Sequence, residues 1–203
     1  MSRPSAARVG LIVLTGGASS RMGVDKASLD TRGGPLALRP VVALQHVCGE
    51  VVLAGRPVEG IEAPVVPDTH PGEGPLAGLV SGVAALTSEF AVVVACDMPE
   101  VQPALVMLLL ELLSDAGATA EAAACTDPAG RLEPLPLVVR TSALPQLQEA
   151  LGTGGRSLRE GLAALPTLVV GEADWRPADP EGTSFENWNR PADIRPVPPL
   201  PAR

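Results

Sequence analysis

Aromatic side chains are scarce: two Phe, two Trp and no Tyr among 203 residues, 2% of the chain. A core must therefore be built from Val, Leu and Ala, and an apolar fraction of 46% allows one. Histidine is as rare, with only His46 and His70. His46 falls inside a predicted helix and His70 in a loop without a metal-spaced partner, so a histidine-based triad finds no support. The three cysteines, Cys48, Cys96 and Cys125, are widely spaced and odd in number. They read as reduced thiols rather than a disulfide or zinc framework. Positive charge is also short: 15 Lys and Arg face 23 Asp and Glu, for a net charge of -8. That excludes a general nucleic-acid surface, which needs a basic face, but leaves room for one small cationic pocket. The longest apolar stretch, near Leu105 to Leu113, is too short to span a bilayer and is interrupted by Glu111. The opening MSRPSAARVGLIVL runs straight into glycines without a cleavage pattern. The expectation is a cytoplasmic protein without a signal peptide or membrane segment.

What is present alternates. Val9 to Leu14, Glu50 to Ala54, Ala63 to Val66 and Ala91 to Ala95 read as strands, the last a nearly pure Val/Ala run buried on both faces. Pro35 to Cys48, with Pro35 in the first turn, Leu76 to Leu86 and Pro103 to Leu113 read as helices. The second half is less regular. Ala118 to Cys125 and Thr167 to Val170 read as strands, and Ser142 to Leu151 and Ser157 to Leu165 as helices joined by GTGGR. Gly130 to Arg140 contains two prolines, so it is either an edge hairpin or a strand with a bent start. The succession predicts an α/β fold with a mainly parallel central sheet. Residues 1–195 are expected to form one domain, and 196–203, PVPPLPAR, a flexible tail, since prolines cannot continue a helix or a ladder.

In such sheets ligands collect at the carboxyl ends of the strands. The unusual residues stand there. LTGGASSRMGVDKASL, residues 14–29, follows the first strand with three glycines and two cations. Glycines such as Gly16 and Gly17 let the backbone approach a ligand and present N–H groups to phosphate oxygens. Arg21 is suited to grip such an oxygen bidentately, and Lys26 to place a point charge on an adjacent phosphate. The stretch matches neither GxxxxGK[ST] nor GxGxxG. By itself it indicates a phosphate-containing ligand or, failing that, a surface turn. Asp97 ends the Val/Ala strand in AVVVACDMPE. It either holds Mg²⁺ in the crevice, a hard cation for a hard oxygen, or caps the helix that starts near Pro103. Cys96 beside it reads as an inert small thiol. Asp68, in VVPDTHPGEGPLAGL, is a candidate for a ribose, base or metal contact or a plain turn former.

Together these segments resemble the molybdenum cofactor guanylyltransferase (MobA-like) family, within the broader nucleotidyltransferases. The family pattern LAGGxSxRMGxDKxxL is met by LTGGASSRMGVDKASL, its D…GPLAG by DTHPGEGPLAGL, its CDxP by CDMP (96–99) and its FxNxNTPxD by FENWNRPAD (185–193). The resemblance covers the chain nearly end to end and in order. It implies a Rossmann-like three-layer nucleotidyltransferase fold. It implies that the phosphate of molybdopterin, or of Mo-molybdopterin, attacks the α-phosphorus of GTP with Mg²⁺, releasing pyrophosphate. Carried over by residue, Leu14, Thr15 and Gly16 would meet the nucleotide through backbone groups, Lys26 and Asp68 would contact it, Asp97 would hold Mg²⁺, and Asn187 and Asn189 would lie near the pterin phosphate or the metal side. Transient contact with cofactor-insertion proteins or molybdoenzymes is implied as well.

The chain departs from the pattern at four places. Thr15 stands for a usual alanine, Arg190 for the threonine of NTP, and Glu133, beside the retained Pro134, for a frequent histidine. After the second strand, where relatives often carry an Asn, LAG puts Gly55. That loss bears on base choice more than on nucleotidyl transfer. The alternatives are a pterin cytidylyltransferase, another small-molecule nucleotidyltransferase, or a non-catalytic nucleotide-binding regulator. Retention of Gly16, Gly17, Arg21, Lys26 and Asp97 argues against the last.

Overall fold

The computed structural model describes residues 4–16, 26–31, 34–67, 74–127, 129–188 and 193. Seven strands form one sheet: β1 (Val9–Leu14), β2 (Glu50–Gly55), β3 (Val65–Pro67), β4 (Phe90–Ala95), β5 (Ala122–Thr126), β6 (Leu132–Arg140) and β7 (Thr167–Val170). Their order is β3-β2-β1-β4-β6-β5-β7. β1 pairs in parallel with β2 and β4, β2 with β3, and β5 with β7, while β6 runs antiparallel to both neighbours. The sheet is therefore mainly parallel, with one reversed strand.

Among the described residues six α-helices cover the sheet: α1 (Leu38–Leu44), α2 (Pro75–Ala85), α3 (Pro103–Ala116), α4 (Leu144–Gly152), α5 (Leu158–Ala163) and α6 (Glu172–Trp175). Alternation along β1 sorts them into layers. Val9, Leu11 and Val13 pack with Leu44 of α1, Leu105 and Leu109 of α3 and Trp175 of α6. Ile12 and Leu14 pack with Leu76, Leu79 and Val83 of α2, Leu147 of α4 and Leu162 of α5. A period of two in a strand sends successive side chains to opposite faces, so a fully apolar strand calls for helices on both. Helix α2 lies close because it is rich in small residues: a Cβ at Gly82 would stand 2.7 Å from Ile12 Cγ2. Among the described residues no helix is long and apolar enough to cross a membrane.

Two readings of the sequence change. The first long helix starts at Leu38, not Pro35, because Pro35 is held in a bridge with Asp30; the proline of the first turn is Pro40. The proline-bearing segment is not an edge hairpin. It is β6, inside the sheet between β4 and β5. The prolines are tolerated because the β4 ladder ends at Val93–Leu137, short of Pro136, and the β5 register shifts between Ala123 and Cys125 opposite them. No ladder bond is asked of a residue without an N–H.

The turn between α4 and α5 carries a pH-sensitive cap. Ser157 Oγ accepts from the Glu160 amide at 3.2 Å, and Glu160 Oε2 accepts from the amides of Ser157 at 2.7 Å and Arg156 at 2.9 Å. These bonds, the Ser157 amide foremost, pull the Glu160 carboxyl from 4.5 to about 2. A depressed folded-state pKa contributes stability that is complete above the unfolded value and is lost as pH falls through the folded one. Glu160→Ala should therefore melt below the parent protein at pH 6, and the gap should close between about pH 4.5 and pH 2. A gap that stays constant over that range in paired melting curves would show that the carboxylate is not what holds the turn.

Candidate functional site

The carboxyl ends of β1, β2 and β4 meet at one edge of the sheet. Leu14 ends β1 in register with Ala54 on one side and Ala95 on the other. The chain then turns, and the amides of Thr15 and Gly16 both donate to the Ala54 carbonyl, at 2.9 and 3.2 Å. The Thr15 hydroxyl is buried and does further work: it donates to the Arg56 carbonyl and accepts from the Arg56 amide, each at 2.8 Å. An alanine could make neither bond. Thr15 thus locks the mouth of β1 to the mouth of β2, a role the sequence pattern did not disclose.

Gly55 has a geometric reason. Its φ is +127°, and a Cβ there would stand 2.3 Å from the Gly16 amide nitrogen and 2.7 Å from Gly16 Cα. The start of the glycine-rich stretch rests directly on this glycine, so the position has no room for an Asn side chain. Side chains at such a φ cost about 1–2 kcal/mol, and a backbone clash adds to that. Gly55→Asn is expected to lower stability by roughly 3 kcal/mol and to weaken nucleotide binding rather than add a base contact. Chemical denaturation and nucleotide titration of this variant check both parts; tighter guanine selection in a stable variant would overturn the geometric account.

Asp97 stands on the same edge. Its turn is held on each side, by the Cys96 amide donating to Leu14 O at 3.1 Å and the Met98 amide donating to Ala95 O at 3.2 Å. A third bond comes from far along the chain: the Trp188 amide donates to the Asp97 carbonyl at 2.8 Å. Trp188 is buried, and its neighbour Asn187 is exposed beside this contact. The alternative role for Asp97, capping α3, is not what the fold uses. The N-cap of α3 is Gln102, without a side-chain cap.

The segment that brings Trp188 here is fastened by a polar knot. Buried Asp179 accepts from the amides of Thr183 at 3.1 Å and Ser184 at 2.8 Å. Ser184 Oγ accepts from the Gln102 amide at 2.9 Å, and Thr183 Oγ1 donates to the Glu100 carbonyl at 3.1 Å. The end of the fold is therefore clamped to the loop after Asp97. Nothing in the order of residues signals this; the one clue was Trp188 itself, a large side chain between two candidate asparagines.

Of the other candidates, Lys26 opens a short turn, Lys26–Ser28, tied to the start of α1 by the Ala37 amide donating to Ala27 O at 3.1 Å. The Lys26 side chain, Gly17, Arg21, Asp68, His70, Asn189, Arg190 and the 196–203 tail lie outside the described residues. At Gly74, ahead of α2, a Cβ would stand 2.4 Å from the Arg156 carbonyl. The Arg156 carbonyl also accepts from the Leu76 amide at 3.1 Å. The GTGGR turn is thus packed against the start of α2, with the Arg156 guanidinium donating to the Leu151 and Gly155 carbonyls of its own turn. Glu133 lies near the start of the reversed strand β6 and faces Arg159 at 3.8 Å. The buried thiols Cys48 and Cys125 are pushed up to about 12 by desolvation, Cys125 also by Asp179. That removes both as nucleophiles at neutral pH.

A rigid carboxylate offered at a sheet edge is a hard oxygen donor. Among the described residues no three His, Cys, Asp or Glu side chains gather to hold a metal. An aspartate so placed suits a hard cation that keeps waters and takes the rest of its shell from substrate phosphates, as Mg²⁺ does.

Comparison with known proteins agrees with this arrangement. Residues 11–167 match the model of the MobA-like NTP transferase domain. The "Probable molybdenum cofactor guanylyltransferase" of Chloroflexus aggregans is 35% identical over 190 residues, covering 91% of this chain and 90% of its own. The molybdenum cofactor guanylyltransferase of Bordetella pertussis is 36% identical over 152 residues, covering 71% and 77%. Among solved structures, molybdopterin-guanine dinucleotide biosynthesis protein A from Archaeoglobus fulgidus superposes with a TM-score of 0.70 at 28% identity, over 91% of this chain and 94% of that one. The 2-C-methyl-D-erythritol 4-phosphate cytidylyltransferase of Thermus thermophilus, at 17% identity and a TM-score of 0.63 over 90% and 94%, shares the fold. With its motifs in order along the chain and its site at the carboxyl edge of a three-layer sheet, the chain belongs to the MobA-like NTP transferase family and is a nucleotidyltransferase.

Proposed function

We propose that this enzyme transfers GMP from GTP to the phosphate of molybdopterin, or of Mo-molybdopterin, releasing pyrophosphate and forming the guanine dinucleotide cofactor. The observation that carries the reading is the convergence of the Thr15–Gly16 turn, Gly55 and the Asp97 turn on one edge, with Trp188 docked on Asp97. The names of the relatives point to the same reaction. Residues 1–195 act as one catalytic unit, with 196–203 a tail, in the cytoplasm.

Nucleotidyl transfer asks little covalent help of a protein. It needs an in-line nucleophile, neutralised phosphate charge and a stabilised leaving group. The acceptor phosphate is ionised near neutral pH, so no histidine base is required. The backbone of Leu14, Thr15, Gly16 and Gly17 cradles the nucleotide. Asp68 adds a contact on the sugar or base side. Arg21 and Lys26 place positive charge on the triphosphate and keep it there as pyrophosphate departs. Asp97 would hold Mg²⁺, which when bound supplies Lewis-acid neutralisation of the phosphates. Asn187 and Asn189 orient the acceptor phosphate. Contact with cofactor-insertion proteins or molybdoenzymes would follow product formation.

The test is to incubate the protein with molybdopterin, Mg²⁺ and each nucleoside triphosphate in turn while following pyrophosphate. GTP is expected to be the substrate. Because Gly55 provides no side chain, selection against ATP should be looser than about 1,000-fold, roughly 4 kcal/mol. Release with CTP alone would replace the guanylyl reading by the cytidylyl one.

A further inference from the structure

Residues 175–188 form a strap along the carboxyl edge of the sheet. The strap leaves the end of β5, where Trp175 Nε1 donates to the Thr126 carbonyl at 2.8 Å and the indole meets the Phe185 ring edge-on, with centroids 4.8 Å apart. It ends beside β4, and β6 lies between those two strands. Beyond α6 its regular structure is one short turn, Thr183–Phe185. Its course is set instead by bonds to the loop 97–102. The Trp188 amide donates to the Asp97 carbonyl, Thr183 Oγ1 donates to the Glu100 carbonyl, and Ser184 Oγ accepts from the Gln102 amide. Gln102 Nε2 also donates to the Glu100 carbonyl and to Thr183 Oγ1, each at 3.0 Å.

Asp179 organises these contacts. It is 1% exposed, and its two carboxylate oxygens accept from the Thr183 and Ser184 amides. The carboxylate thus shapes the turn that presents both hydroxyls to the loop. A buried carboxylate gives up its hydration, so it is a costly fastening for a segment that buried Trp175 and Trp188 already anchor. What directional bonds add to apolar packing is a fixed distance and angle. Asn187, exposed, directly precedes the Trp188 amide that meets Asp97. We propose that Asp179, acting through Thr183 and Ser184, is a positioning residue that holds the strap at one spacing from the Asp97 loop, so that the nucleotide side at Asp97 and the acceptor side at Asn187 stay in line for transfer. The proposal rests on the reading of Asp97 and Asn187 as two sides of one site. The Thr15–Gly16 turn is held separately, by Ala54 and Arg56. Loosening the strap should therefore spare nucleotide binding and spoil its alignment with the acceptor, and small misalignments of reacting groups cost rate out of proportion to their effect on folding.

The experiment compares the parent protein with Thr183→Val, Thr183→Ser and Asp179→Asn. It measures turnover with GTP, Mg²⁺ and molybdopterin, calorimetric GTP affinity without molybdopterin, and unfolding temperature. Thr183→Val keeps the shape and removes the hydroxyl. It is expected to raise the KM for molybdopterin about tenfold and lower kcat about tenfold, with GTP affinity within about twofold of the parent. Asp179→Asn should move the same two quantities further, and Thr183→Ser, which restores the hydroxyl, should return both close to the parent. A folded Thr183→Val with a lowered unfolding temperature but parental KM for molybdopterin and parental kcat would make the knot a fastening of the chain end and overturn the proposal. An equal loss in Thr183→Ser, or GTP affinity that falls in step with kcat, overturns it too. If Thr183→Val or Asp179→Asn does not fold, the other decides. No pyrophosphate release from the parent with GTP, or full turnover in Asp97→Asn, removes the underlying reading and this inference with it; parental turnover with unmoved variants removes only the inference.

Discussion

Asp97→Asn is expected to abolish turnover while leaving the fold standing. The carboxylate is carried by a turn with three backbone bonds, from Cys96, Met98 and Trp188, none of which uses its side chain. The strand beneath it is buried, from Phe90 to Val94, so the turn has little room to relax. Asparagine keeps the shape and removes the charge that would hold a divalent cation. A metal contributes several kcal/mol of charge stabilisation in phosphate chemistry, so a loss of at least about 1,000-fold in rate, roughly 4 kcal/mol, should follow. Unfolding free energy without ligand should stay within about 1 kcal/mol of the parent, because the N-cap position of α3 is Gln102 and not Asp97. The variant should also lose the Mg²⁺-dependent part of stabilisation by GTP, about 2.7 kcal/mol at a hundredfold excess over Kd in the parent. Retained turnover in a folded Asp97→Asn protein would rule out a metal role for this residue.

Lys26→Ala should be the second large loss. Here the backbone, not the side chain, secures the fold. Ala27 is buried and its carbonyl accepts from the Ala37 amide, so the Lys26 turn stays attached to α1 whatever residue occupies position 26. Removing one charge that stabilises developing charge in a water-poor site costs roughly 2–4 kcal/mol, about 30- to 1,000-fold in rate. The loss should show in kcat/KM at low GTP and persist in kcat at saturation, because the charge matters most as pyrophosphate leaves. A rise in KM with unchanged kcat would mean that Lys26 binds ground state and transition state alike, and the role in departure would be withdrawn.

Local patterns were legible in this sequence and long-range contacts were not. Apolar runs disclosed β1 and β4, and with them that Asp97 stands at the carboxyl edge of the sheet. Pro134 and Pro136 suggested an edge strand, since the local rule sees only the missing N–H. It does not see that the β4 ladder stops at Leu137 and that β5 bulges opposite. Pro35 suggested a helix start by the same kind of rule and is a bridge residue instead, its role decided by Asp30. Gly55 looked like a lost contact; it is a place where two backbones approach too closely for any Cβ. The Thr15 lock, the bonds that tie Ser184 and Thr183 to Gln102 and Glu100, and the Trp188 bond each join positions dozens of residues apart, and neither periodicity nor spacing encodes such pairs.

The Trp188 bond has a consequence for the order in which the enzyme comes into being. The Lys26 turn and Asp97 are synthesised in the first half of the chain, but the residue that docks on Asp97 follows it by about ninety positions, roughly 5–20 s later at common elongation rates. Strands β1 to β4 can pair as soon as they emerge, being neighbours in the sheet. The loop after β4 must then wait, unclamped, until residues 179–188 arrive. A ribosome-bound chain stopped short of Trp188 would carry the Asp97 turn with its Cys96 and Met98 bonds but without the Trp188 one.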